Sequence, residues 1–153
     1  MNPKRILSKD TMIMRLKSAD KEGAIEELID VLVTAGKVKD RKAALKAVME
    51  REKKMSTGLQ NGIAIPHGKT DAIDALVASI GISPPGIPFE SLDGQPAKII
   101  LLTVSPASRT GPHIQFLADI SRVLHNDQTR QRVLEAKSED EVLELLSGAA
   151  PAA

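Results

Sequence analysis

Cysteine, tryptophan and tyrosine are missing from this chain of 153 residues, and phenylalanine occurs only twice, at Phe89 and Phe116. Without cysteine there is no disulfide, thiolate metal site, iron–sulfur cluster or thiol nucleophile, and its absence fits a reducing compartment. With so few rings, a single-stranded nucleic acid has almost nothing to stack on. Neither sign of charge dominates: 21 Lys and Arg stand against 20 Asp and Glu, a formal net charge of +1. That balance speaks against a polyanion-binding face and against a disordered charged tail. Long apolar runs are scarce too. The longest uncharged stretch, residues 75–89, is interrupted by Pro84, Pro85 and Pro88 and falls short of a bilayer span. The charges at the start of the chain are not followed by the apolar core of a signal peptide. The expectation is a soluble, cytoplasmic protein.

What is present suffices for one core: 42% of the residues are hydrophobic. A single domain over residues 1–148 is expected, with a fraying Ala/Pro tail at 149–153. Thr11–Leu16 reads as a first strand. Asp20 offers an N-cap to a helix carrying Ile25, Leu28, Ile29, Leu32 and Val33 at helical spacing, and Gly36 stops it. A second, Ala-rich helix starts after Asp40 and runs to about Glu52. Residues 56–62 form a turn before the short apolar run Ile63–Ile65. Leu76–Ile82 reads as a strand, followed by a Pro-rich turn and an edge segment at Ile87–Phe89. Ile99–Val104, apolar at almost every position, reads as a central strand covered on both faces. Gly111-Pro112 opens a helix that the apolar pattern buries widely. Asp127 is expected to cap a further helix, and Ser138 with Glu141 has capping-box spacing before the last one. Strands interleaved with helices predict an α/β fold, a three-layer sandwich with a mixed sheet flanked by helices on both faces.

The segment Gly62–Thr70 superficially resembles a phosphate-binding P-loop, but five residues separate Gly62 from Gly68 where that motif has four. The five are mostly apolar and include Pro66, so they cannot form a nest of N–H groups around phosphate. The segment reads better as a mount for a nucleophile. Ile63, Ala64 and Ile65 anchor it, Pro66 stiffens it, and His67 follows at the end of the apolar run. Gly68 has no side chain to obstruct an approaching partner. An imidazole with an ordinary pKa near 6.5 is largely neutral at pH 7 and keeps one nitrogen free to attack. An unremarkable polar turn residue is the alternative. His113 lies in the first turn of a helix, where free N–H groups and the dipole favour anions, though by itself it reads as an ordinary first-turn residue. His125, at the far end of that helix, is about 18 Å away along the axis, so the three histidines cannot share a metal ion. No hydrolase elbow and no HExxH helix occur.

Taken together, Ser56-Thr57-Gly58-Leu59-Gln60-Asn61-Gly62-Ile63-Ala64-Ile65-Pro66-His67-Gly68-Lys69 resembles the signature of enzyme IIA of the fructose/mannitol type in the bacterial phosphoenolpyruvate-dependent phosphotransferase system, a group that includes a nitrogen-regulatory branch. Leu59 stands where isoleucine is more usual. Gly111-Pro112-His113-Ile114-Gln115-Phe116-Leu117-Ala118-Asp119-Ile120-Ser121-Arg122-Val123-Leu124 resembles the family's second histidine helix, and the likeness runs from about Leu7 to Leu146. The resemblance implies a phosphotransferase with a phosphohistidine intermediate. His67 is then the phosphoryl acceptor, His113 helps hold the group, and Arg51 assists transfer; by itself Arg51 reads as a solvated charge in Arg51–Lys54. Thr57 and Gly68 are implied in support. The implied donor is phospho-HPr and the implied acceptor a sugar-specific enzyme IIB, with a membrane enzyme IIC indirectly downstream. An apolar surface near His67, including Ile65 and Leu59, would receive both protein partners. No cofactor, metal or nucleic acid is implied. The run Gln115–Arg122 leans toward the fructose branch; the alternative is a nitrogen-type regulatory module that docks according to its phosphorylation state.

Overall fold

The computed structural model describes residues 6–147. Along them run a 3-10 turn (Lys9–Thr11), β1 (Met12–Ile13), α1 (Lys21–Thr34), α2 (Arg41–Lys54), β2 (Ile63–Ala64), β3 (His67–Lys69), β4 (Val77–Ile87), β5 (Ala97–Ser105), α3 (Gly111–Leu124), α4 (Asp127–Glu135) and α5 (Glu139–Leu146). The tail expected to fray lies outside the described residues.

The sheet is mixed. β4 and β5 pair antiparallel, β1 joins β4 in parallel, and β2 and β3 both join the free side of β5 in parallel. β5 is therefore central, and its alternate side chains separate two cores. Ile100, Leu102 and Val104 pack with Ile25, Leu28 and Leu32 of α1 and Ala44 and Val48 of α2. Ile99 and Leu101 pack with Phe116, Ile120 and Leu124 of α3, Val133 of α4 and Val142 and Leu146 of α5. These two cores make the three layers that the strand and helix order predicts.

The helix ends follow local chemistry. The Asp20 and Asp40 carboxylates accept the N–H groups of Gly23 and Ala43, satisfying donors that a helix start leaves free. Gly36 takes the left-handed conformation, φ 76°, that ends α1. Ser138 Oγ accepts from Glu141 N–H, as its spacing predicts.

Four expectations need correction. The first strand shrinks to Met12–Ile13, because Ser8 and Thr11 bond each other across the 3-10 turn that precedes it. No turn separates Leu76–Ile82 from Ile87: β4 continues through Pro84 and Pro85 across a register shift. Proline is tolerated there because β1 pairs only as far as Gly81, so the missing N–H costs no ladder bond on that side. Asn126, rather than Asp127, caps α4, its side chain accepting Thr129 N–H. Finally, α3 buries one face only. His113, Phe116, Ile120 and Leu124 point inward, whereas Ile114 is 63% exposed.

Candidate functional site

The short strand β3 decides where each side chain of the His67 segment points. It aligns His67 with Thr103, Gly68 with Val104 and Lys69 with Ser105, and paired residues of a parallel ladder share a face. Val104 belongs to the core under α1 and α2, so Gly68 turns toward those helices and His67 turns toward α3. There the His67 ring meets His113, the third residue of α3, with ring centroids 5.2 Å apart and planes tilted by 47°. The two histidines that are 46 residues apart in the chain thus form one site, and His125, the exposed C-cap of α3, stands outside it.

The structure gives Gly68 a different reason from the one its sequence context suggests. A Cβ at this position would stand 2.7 Å from Ala47 C and 2.7 Å from Val48 N. The glycine admits the backbone of α2, not a visiting partner. That close approach carries Arg51, near the end of α2, to the edge of β3, where Arg51 and Lys69 line one open depression. Arg51 Nη1 donates to Met55 O at 2.8 Å.

The protonation of the pair follows from its contacts. His67 Nδ1 lies 2.9 Å from Ile65 O. A carbonyl oxygen only accepts, so Nδ1 carries the hydrogen, and in the neutral ring the lone pair sits on Nε2. Burial lowers the His67 pKa below its ordinary value. The Ile65 carbonyl and the Glu52 carboxylate oppose the shift, and the Arg51 and Lys69 charges reinforce it. His113 is more strongly affected: burial first, then the nearby positive charges of His67 and Lys69, bring its pKa down from 6.5 to about 4. It is 5% exposed, and its Nε2 shares a 2.9 Å hydrogen bond with the fully buried Thr103 hydroxyl. At neutral pH the site is therefore a pair of uncharged imidazoles flanked by a guanidinium and an ammonium.

This arrangement makes acid stability a direct readout. Above pH 6.5 His113 is neutral both folded and unfolded. As pH falls from 6.5 toward about 4, the unfolded chain binds a proton that the folded one refuses, so stability drops through that window. Denaturant titrations of His113→Gln should lose less stability across it than the parent, by about 2 kcal/mol. Parallel pH profiles for the two proteins would contradict the burial of a neutral His113.

Thr57 does not face the histidines. It is buried, its hydroxyl and N–H donate to Glu52 at 2.6 and 2.9 Å, and its carbonyl accepts Ile65 N–H at 3.1 Å. Glu52 also receives Lys21 Nζ at 3.0 Å. Neither Glu52 nor Thr103 stands out in the sequence. Glu52 sits in the charged run Arg51–Lys54, which reads as a solvated helix end, and Thr103 reads as one more position of a buried strand. Lys69 had a usable signal, since it lies two residues from His67 on the same strand, but only once residues 67–69 are read as a strand and not a turn.

A groove runs between residues 59–65 and α3 as far as His125, and it reaches the His67 segment at Ile65 without His67 or His113 lining it. Leu59, Ile63 and Ile65 form one wall, and Leu117 and Ser121 stand on the other. Both residues expected at an apolar surface, Leu59 and Ile65, line it. Among the described residues, no three His, Asp or Glu side chains cluster so as to hold a metal ion.

Comparison with known proteins bears on this geometry. Residues 5–149 match the family model described as "Phosphoenolpyruvate-dependent sugar phosphotransferase system, EIIA 2". The "PTS system fructose-specific EIIA component" of Haloferax volcanii is 43% identical over 129 residues, covering 84% of this chain and 84% of that protein. The "PTS system fructose-specific EIIABC component" of Bacillus subtilis is 37% identical over 142 residues; the match takes in 93% of this chain but only 22% of that longer protein. Among solved structures, the NMR complex of enzyme IIA-mannitol and phosphorylated enzyme IIB-mannitol from Escherichia coli superposes with a TM-score of 0.80 at 28% identity. It covers 93% of this chain and 97% of that one.

Proposed function

The chain belongs to the EIIA 2 family of the phosphoenolpyruvate-dependent sugar phosphotransferase system, and on that footing we propose that it carries a phosphoryl group on His67, taken from phospho-HPr and passed to a fructose-type enzyme IIB. The observation that carries this reading is the pairing of His67 with His113 while Ile65 O occupies His67 Nδ1, leaving Nε2 as the nucleophile. The Nε2 lone pair attacks phosphorus, the bond to the donor nitrogen breaks, and the donor imidazole keeps that electron pair. Such transfer depends on positioning and charge stabilisation. His113, uncharged at neutral pH, supplies ring hydrogen bonding to the phosphoryl oxygens, and Arg51 supplies charge.

The Ile65 carbonyl has a second consequence. With Nδ1–H held, attack through Nε2 leaves a positively charged ring on the phosphorylated nitrogen. Loss of the Nδ1 proton would turn a lone pair against the carbonyl, so the hydrogen bond favours the protonated ring. A protonated ring is the better leaving group, which keeps the phosphoryl group ready for onward transfer. The apolar groove of Leu59, Ile63, Ile65 and Leu117, which meets the His67 segment at Ile65, offers each protein partner in turn a docking surface. This reading places the protein in the cytoplasm, with the membrane enzyme IIC reached only through enzyme IIB; among the described residues no helix is long and apolar enough to cross a membrane.

The test is to incubate the protein with phosphoenolpyruvate, enzyme I and HPr and to map the acid-labile phosphate by peptide. Label on the peptide containing His67, chased off by a fructose-type enzyme IIB, supports carriage and transfer. Label elsewhere rejects the site, and label that no enzyme IIB removes favours the nitrogen-type regulatory alternative. In the same assay Arg51→Lys should slow uptake about tenfold, because a planar guanidinium holds two phosphate oxygens where an ammonium offers a point charge. A parental rate would return Arg51 to the role of a solvated helix end.

A further inference from the structure

Glu52 is a carboxylate that the transfer reaction as described does not use, yet its side chain is only 5% exposed. Burying a carboxylate is costly unless it is paired and hydrogen-bonded, and here three donors converge on it. Lys21 Nζ, at the start of α1, approaches at 3.0 Å, Thr57 N at 2.9 Å and Thr57 Oγ1 at 2.6 Å. Lys21 is itself held over the Phe89 ring, 5.1 Å from the centroid, and its ammonium also meets Glu90 at 3.1 Å. From Glu52 the contacts continue in one direction. The Thr57 carbonyl accepts Ile65 N–H at 3.1 Å, and the Ile65 carbonyl accepts His67 Nδ1–H at 2.9 Å. The chain from Glu52 to the His67 ring is thus unbroken and passes through two residues.

We propose that Glu52 is a positioning residue for the phosphoryl acceptor, fixing through Thr57 and Ile65 the tautomer and orientation of His67. Backbone bonds at Leu59, Gly58 and Gly62 tie residues 56–62 to the strands beside them, and the Glu52 carboxylate ties their start, at Thr57, to α2. Because Glu52 adjoins Arg51 in α2, one helix turn sets both the guanidinium and the segment that aims the nucleophile. The negative charge of Glu52 also favours a positively charged His67 ring, the state that follows phosphoryl uptake. A transfer site a fraction of an ångström out of line loses much of its rate.

The inference rests on His67 being the acceptor, and its test separates the two. Glu52→Gln, Thr57→Val and Thr57→Ser are compared with the parent by thermal unfolding, by initial rate of uptake from saturating phospho-HPr, and by 15N NMR of the His67 ring in the unphosphorylated protein. The parent should show the Nδ1–H tautomer. Glu52→Gln and Thr57→Val should move the 15N shifts toward a mixture of tautomers and slow uptake about tenfold or more, and Thr57→Ser, which keeps the hydroxyl, should restore both. Unchanged 15N shifts in folded Glu52→Gln or Thr57→Val overturn the proposal, whatever the rate, since Glu52 would then act on stability alone. Should Glu52→Gln not fold, Thr57→Val decides. A parent protein that takes up no phosphate overturns the functional reading instead, while the spectra still decide whether Glu52 sets the His67 ring.

Discussion

His67→Ala is expected to take up no phosphate from phospho-HPr, at any donor concentration, while folding with a stability within about 1 kcal/mol of the parent. The ring is partly buried and makes one hydrogen bond, to a backbone carbonyl, so the packing lost with it is modest. The chemical loss is total, because no other group of the site combines an unshared lone pair with access. His113 is buried with Nε2 tied to Thr103. Phosphoenolpyruvate-dependent labelling by enzyme I and HPr, with circular dichroism as the control for folding, checks the expectation. Stoichiometric label on the variant would remove His67 from the reaction.

Gly68→Ala should be the most damaging single methyl group that can be added near the site. Its Cβ would lie 2.7 Å from two backbone atoms of α2, Ala47 C and Val48 N, and backbone in the middle of a helix cannot turn aside as a side-chain tip can. Either β3 leaves its register with β5 or α2 lifts from the sheet. Overpacking of this kind costs about 3 kcal/mol, which for a chain of this size lowers Tm by about 10 °C. Phosphoryl uptake should fall with it, since α2 carries Arg51 and Glu52. A variant that melts with the parent would show that α2 does not press on β3 as closely as these distances require.

The sequence made some of this visible and hid the rest for physical reasons. The unbroken apolar run Ile99–Val104 announces a strand buried on both faces, and Asp20, Asp40 and Gly36 mark helix ends through side-chain and backbone chemistry that is local. The strand through Pro84 and Pro85 was illegible, because its tolerance of proline depends on how far β1 extends, a fact of the sheet and not of the segment. The helix of His113 shows apolar residues all round, yet only tertiary packing decides that Phe116 goes inward and Ile114 stays out.

Within the site, the motif around His67 points to the proposed acceptor, but the role of its neighbour Gly68 required knowing that α2 lies beneath it. Thr57 stands in the motif and takes its place beside Ile65 by a backbone bond, whereas its partner Glu52 is drawn from a charged run with the composition of a solvated surface. What no local pattern reveals is burial: it holds His113 neutral and isolates Glu52 among three donors.

The most direct test of the central claim is the long-range 1H–15N spectrum of the phosphorylated, 15N-labelled protein. The expected spectrum shows phosphorus coupling at Nε2 of His67 and a retained hydrogen at Nδ1, facing the Ile65 carbonyl. Phosphorus coupling at Nδ1 of His67, or on His113, would contradict the account.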